Sequence, residues 1–105
     1  MTFIAGMILQ DGSRQVTIYD AAPTVRNTRV LYQGAADGCD WGKEATKRST
    51  DALARLMLTQ VGAEVWVPVE AFVREFIRIR MMSGKMWIVS LADIKAWLEK
   101  NQVIQ

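Results

Sequence analysis

Histidine is missing from this chain, and cysteine occurs once, as Cys39. The first absence removes Ser-His and Cys-His nucleophilic pairs and all imidazole acid–base catalysis. The two together remove zinc sites built from Cys and His, because one thiolate and no imidazole cannot supply four ligands. A single cysteine also forbids an intrachain disulfide, and cysteine usage gives no sign of an oxidising compartment. No apolar run approaches the roughly 18 residues that would span a bilayer. Residues 2–9 are apolar, but no basic region precedes them and the polar turn Gln10-Asp11-Gly12-Ser13-Arg14 follows directly. A secretory leader is therefore not expected. Linkers, internal repeats, low-complexity tracts and charge blocks are missing too. The expectation is a cytoplasmic protein with no membrane contact.

The chain has 105 residues, enough for one domain over 1–105 and too few for two. Half of the residues are hydrophobic and 23% are charged, which suits a globular domain. Net charge is +2, modest for a dedicated nucleic-acid binder.

Residues 2–9 and 15–20 flank Asp11-Gly12, a turn dipeptide that suits positive φ, and Gln15–Tyr19 alternates polar and apolar side chains. A β-hairpin is predicted. Residues 21–27, with Pro23, read as a loop, and Arg29–Gln33 as a third strand. Asp37-Gly38 signals a second turn that leads into a short strand, Cys39-Asp40-Trp41. From Ser49 the period changes. Leu53, Leu56, Met57, Gln60 and Val61 share one helix face, with Ser49 or Thr50 as cap and Gly62 as terminator. After Glu64–Val67, Pro68 suits a first helical position. Val69, Phe72, Val73, Phe76 and Ile77 then form an apolar stripe that ends near Arg80. Ser83-Gly84-Lys85 reads as a turn and Met86–Val89 as a last strand. Ser90 and Asp93 resemble a capping box opening a helix that buries Leu91, Ile94, Trp97 and Leu98. Strands followed by helices indicate α+β: a small, mainly antiparallel sheet of four to five strands packed against about three helices.

Gly38-Cys39-Asp40-Trp41-Gly42 resembles the Gly-Phe-Glu-Trp-Gly segment of an uncharacterised family of small proteins carried by phages, plasmids and bacteria. There, too, the segment precedes an Ala/Leu-rich helix, here Ala52–Leu58. Val16-Thr17-Ile18 is similar to an early strand of that family. Phe76, Trp87–Ser90 and Ile94–Leu98 are similar to its closing strand and helix. The chain departs from the family at Lys43–Arg48, which stand in place of a Gly- and Pro-containing helix lead-in. An anion site at such a lead-in is therefore not carried over. The family brings no catalytic residues.

Each candidate site has a plain structural alternative. Asp37, Asp40 and Glu44 have the oxygen chemistry of a magnesium or calcium site, but turn chemistry explains Asp37. Ser83-Gly84-Lys85 lacks the first glycine and the final Ser or Thr of a phosphate loop. Cys39 reads as a small buried hydrophobe. No metal or cofactor is expected. Gly38, Trp41, Gly42, Trp87 and Trp97 read as structural. Lys43, Lys47, Arg48, Arg74 and Arg78 are candidates for a basic contact surface, with Trp66 as an exposed aromatic beside it. The missing catalytic constellation and the resemblance imply a small non-enzymatic interaction protein of a mobile genetic element. It would bind a host protein, including a component of host defence such as a CRISPR effector. The alternative is a nucleic-acid-binding accessory protein using the basic residues of the first two helices.

Overall fold

Asp11-Gly12 closes the hairpin that its residue types predict. Gly12 has φ 86°. Its N–H donates to the Leu9 carbonyl at 2.9 Å, and the Leu9 N–H donates to the Ser13 carbonyl at 2.8 Å. The Asp11 carboxylate accepts from the Ser13 N–H at 2.9 Å and from its hydroxyl at 2.6 Å, a side-chain mimic of a backbone turn. The flanking strands are β1 (Thr2–Ile8) and β2 (Arg14–Asp20). β3 (Thr28–Gly34) pairs outside β2, and β4 (Met86–Ser90) pairs outside β1. All pairings are antiparallel, and the order is β3-β2-β1-β4. The computed structural model describes residues 1–20, 28–62, 69–78 and 84–101. The expected loop with Pro23, Trp66, the Pro68 helix start and Arg80 lie outside the described residues.

Among the described residues three helices complete an α+β fold. They are α1 (Lys47–Thr59), α2 (Val69–Phe72, continued by a π-helical turn over Val73–Ile77) and α3 (Leu91–Asn101). The turn is defined by the Arg78 N–H donating five residues back, to the Val73 carbonyl, at 2.8 Å. The expected strand Cys39-Asp40-Trp41 is absent: these residues run as an irregular segment. Their backbone groups are directed elsewhere than to a neighbouring strand. The Asp40 N–H points to the Ser49 carbonyl and the Gly42 N–H to the Ile77 carbonyl, each at 3.4 Å. The Trp41 N–H donates to the Asp40 carboxylate at 2.8 Å.

α1 begins earlier than its apolar period suggested. Thr46, not Ser49 or Thr50, is the cap, and its Oγ1 accepts from the Ser49 N–H at 3.1 Å. Ser49 and Thr50 are buried inside the first turn, where the hydroxyls satisfy themselves locally. Ser49 donates to the Thr46 carbonyl at 3.0 Å, and Thr50 to the carbonyls of Thr46 and Lys47 at 3.0 and 3.1 Å. Gly62 has the left-handed φ, 72°, expected of a residue after a helix end. α3 is capped as predicted, the Asp93 N–H donating to Ser90 Oγ at 3.1 Å.

All three helices meet one face of the sheet. Ile4, Val16, Trp87 and Val89 on that face join Leu53, Met57, Phe72, Ile77 and Ile94 in one buried cluster. Each fully buried large side chain contributes roughly 1.5–3 kcal/mol relative to exposure. Phe72 and Phe76 stack at 4.6 Å, and Trp97 sets its ring edge-to-face against both, at 5.2 and 5.8 Å. Trp87 lies across β1 at Gly6, its direct cross-strand partner. A Cβ on Gly6 would overlap the indole, so only glycine admits this ring.

Candidate functional site

The Gly38–Gly42 segment is a structural clasp. Trp41 is buried and meets Trp87 edge-to-face at 5.4 Å. Arg14, from β2, lies 5.9 Å over the Trp41 ring and donates through Nε to Asp40 Oδ1 at 3.1 Å. Its Nη1 donates to the Gly12 carbonyl at 2.6 Å. Both side chains of this ion pair are largely shielded from water, which strengthens the contact relative to an exposed pair. Gly38 sits where a Cβ would strike the Tyr32 hydroxyl, and Gly42 has φ 94°. Trp41 and Trp87 lie in the buried cluster, and Trp97 packs against it.

No group of acidic, cysteine or histidine side chains suited to a metal occurs among the described residues. The Asp40 carboxylate is already occupied by Arg14 and by the Trp41 N–H. Cys39 is buried, and burial, reinforced by the neighbouring Asp40 charge, pushes its thiol up to about 11. It is therefore almost wholly protonated, and a poor nucleophile, at neutral pH.

The basic candidates take several different roles. Arg78 donates to three carbonyls of the α1 lead-in, those of Gly42 and Lys43 at 3.1 Å and of Ala45 at 3.0 Å. It works as a strut that holds residues 42–45 against the end of α2. Lys47 pairs with Asp51 at 2.7 Å. That hydrogen bond, with the Asp51 charge, holds the ammonium above the usual lysine range, and Glu70 lies close enough to contribute. Lys43, Arg48 and Arg74 are exposed. Arg74 lies four residues before Arg78, whose guanidinium grips the backbone carbonyl of Lys43. Trp66 lies outside the described residues.

The sheet presents a second surface that sequence reasoning missed. Cross-strand registry sorts the side chains facing away from the helices into three rows. The first is Thr28, Tyr19, Phe3 and Ser90, the second Val30, Thr17, Ala5 and Ile88, and the third Gln33, Gln15, Met7 and Met86. None carries a charge. The charged strand residues Arg14, Asp20 and Arg29 all fall on the helix side of the registry. Val30 is 51% exposed, Ile88 55% and Met86 59%. Phe3 stacks on Tyr19 at 5.6 Å, and the Gln15 amide donates to Gln33 at 3.0 Å. An antiparallel sheet with one solvated face ordinarily alternates apolar-in with polar-out. Here Val30 stands on one edge strand and Met86 and Ile88 on the other, and large exposed apolar patches are common at contact surfaces. The signal was present in Thr2–Leu9, whose unbroken apolar run means that both faces of β1 are apolar.

No protein-family model, no curated protein and no solved structure matches this chain. Among the described residues no helix is long and apolar enough to cross a membrane.

Proposed function

We propose that this protein is a non-enzymatic interaction protein that acts by binding another protein. The observation that carries the reading is the uncharged sheet face, which exposes Val30, Met86 and Ile88 while the helices cover the opposite side. The exclusion of histidine chemistry, the high thiol pKa of Cys39 and the occupied Asp40 carboxylate support it from the other direction. The resemblance to small phage- and plasmid-borne proteins makes a host protein in the cytoplasm the partner class, a defence component among them. Of the basic candidates, Lys43, Arg48 and Arg74 are exposed on the helical side and would be open to that partner.

The test is capture from bacterial lysate with three baits: wild type, Met86→Lys/Ile88→Lys and Arg48→Glu/Arg74→Glu. A protein held by wild type and lost with either variant supports the reading and assigns the surface. No specific protein, or equal capture by all three, refutes it. Retention of nucleic acid that falls steeply with salt would favour the accessory-protein alternative.

A further inference from the structure

The neutral sheet face reads as a contact surface, and we infer, resting on that reading, that its occupant is a second copy of this chain, seated face to face about a twofold axis. A twofold interface opposes a patch to itself, so its chemistry must be self-complementary. A face with charges of one sign would repel its copy; this one has none across all three rows. Its polar side chains are Gln, Thr, Ser and Tyr, and each both donates and accepts hydrogen bonds. Any of them can meet its own kind. A nucleic-acid strand stacking on Phe3 and Tyr19 would need backbone-tracking cations, and the face offers none.

The size fits. Four strands about 4.8 Å apart, most of them seven residues long, give a face of roughly 20 by 20 Å. With side-chain relief the accessible area is on the order of 600 Å² per copy, toward the lower end of specific interfaces. Sheets packed this way sit about 10 Å apart. The pairing turns the helical layers outward, so Lys43, Arg48 and Arg74 appear twice and remain open to a further partner.

The experiment is sedimentation velocity on the whole chain, from low micromolar to several hundred micromolar. Wild type is expected to dimerise reversibly in the micromolar range. Ile88→Lys places a charge on the interface twice, once per copy, and is expected to weaken dimerisation at least about 100-fold. Val30→Lys, on the far edge strand, should act in the same direction. Lys95→Glu, on the solvent side of α3, should leave the association unchanged. Ile88 and Val30 are more than half exposed, and unchanged urea midpoints of the isolated monomers verify that the variants fold. A wild type that stays monomeric throughout overturns the inference, and so does a dimer indifferent to both lysine substitutions. Neither result decides the interaction reading, which stands or falls on lysate capture with the three baits.

Discussion

Replacing Gly6 with alanine should destabilise this protein, although the local backbone argues the opposite. Glycine within a strand costs roughly 0.5–1 kcal/mol relative to alanine through the freedom it retains when unfolded. An alanine meeting open space would therefore help. At Gly6 the added methyl meets the Trp87 indole, overlapping its Cε2, Cζ2 and Nε1 atoms. The ring cannot slide aside cheaply. It is 7% exposed and held edge-to-face against Trp41 at 5.4 Å. Forcing extra volume into such a site costs typically 1–3 kcal/mol, and more when the backbone must move. With the overpacking cost at the upper end of that range, the net expectation after the backbone gain is a loss of about 2 kcal/mol, a fall in Tm on the order of 10 °C for a domain of this size. Urea unfolding followed by tryptophan fluorescence measures it. A double-mutant cycle assigns the cause: in a Trp87→Leu background the Gly6→Ala cost should shrink to below about 1 kcal/mol, which means strong coupling between the sites. A neutral or stabilising Gly6→Ala, or an equal cost in both backgrounds, would refute the steric reasoning.

Other outcomes follow from the same contacts. Arg78→Ala removes the strut under residues 42–45 and should cost about 2 kcal/mol in urea unfolding; Arg78→Lys should recover less than half, because an ammonium lacks the planar fork that spans three carbonyls. Thr46→Ala should cost about 1 kcal/mol through loss of the α1 cap, and Thr46→Ser should restore most of it. The Cys39 thiol is held above its ordinary value when folded, so its contribution is fully present below about pH 9 and is lost as pH rises through about 11. Wild type should therefore lose on the order of 1–2 kcal/mol more than Cys39→Ala between those values. The native thiol should also resist alkylation at neutral pH until urea exposes it.

The hairpin was the most legible part of the chain. Asp11-Gly12 and the alternation in Gln15–Tyr19 specify their conformations through neighbours two residues away. The Gly38–Gly42 segment was recognisable as structural, but its conformation was not. Its backbone bonds are satisfied by Ser49 and Ile77, and a local pattern does not contain those partners. The start of α1 was misplaced for a related reason. Ser49 and Thr50 are good caps by residue type, yet their hydroxyls turn back onto the helix because Thr46 already fills the position. Arg78 was legible as a cation on the polar face of a helix, while its engagement with three carbonyls depends on a loop more than thirty residues away.

Composition by itself ruled out imidazole chemistry, Cys/His zinc sites and an intrachain disulfide. Periodicity by itself established an α+β chain with a hairpin at one end and a capped helix at the other. Only tertiary structure decided which face of the sheet the helices cover. Period-two alternation sorts side chains into two sets and leaves open which set meets the core, and in β1 both sets are apolar. The choice is made by long-range packing, by Trp87 lying across Gly6 and by Ile4 and Val16 joining Leu53 and Phe72 in one buried cluster. That choice leaves three uncharged rows facing outward, the feature on which the proposed function and the proposed dimer both depend.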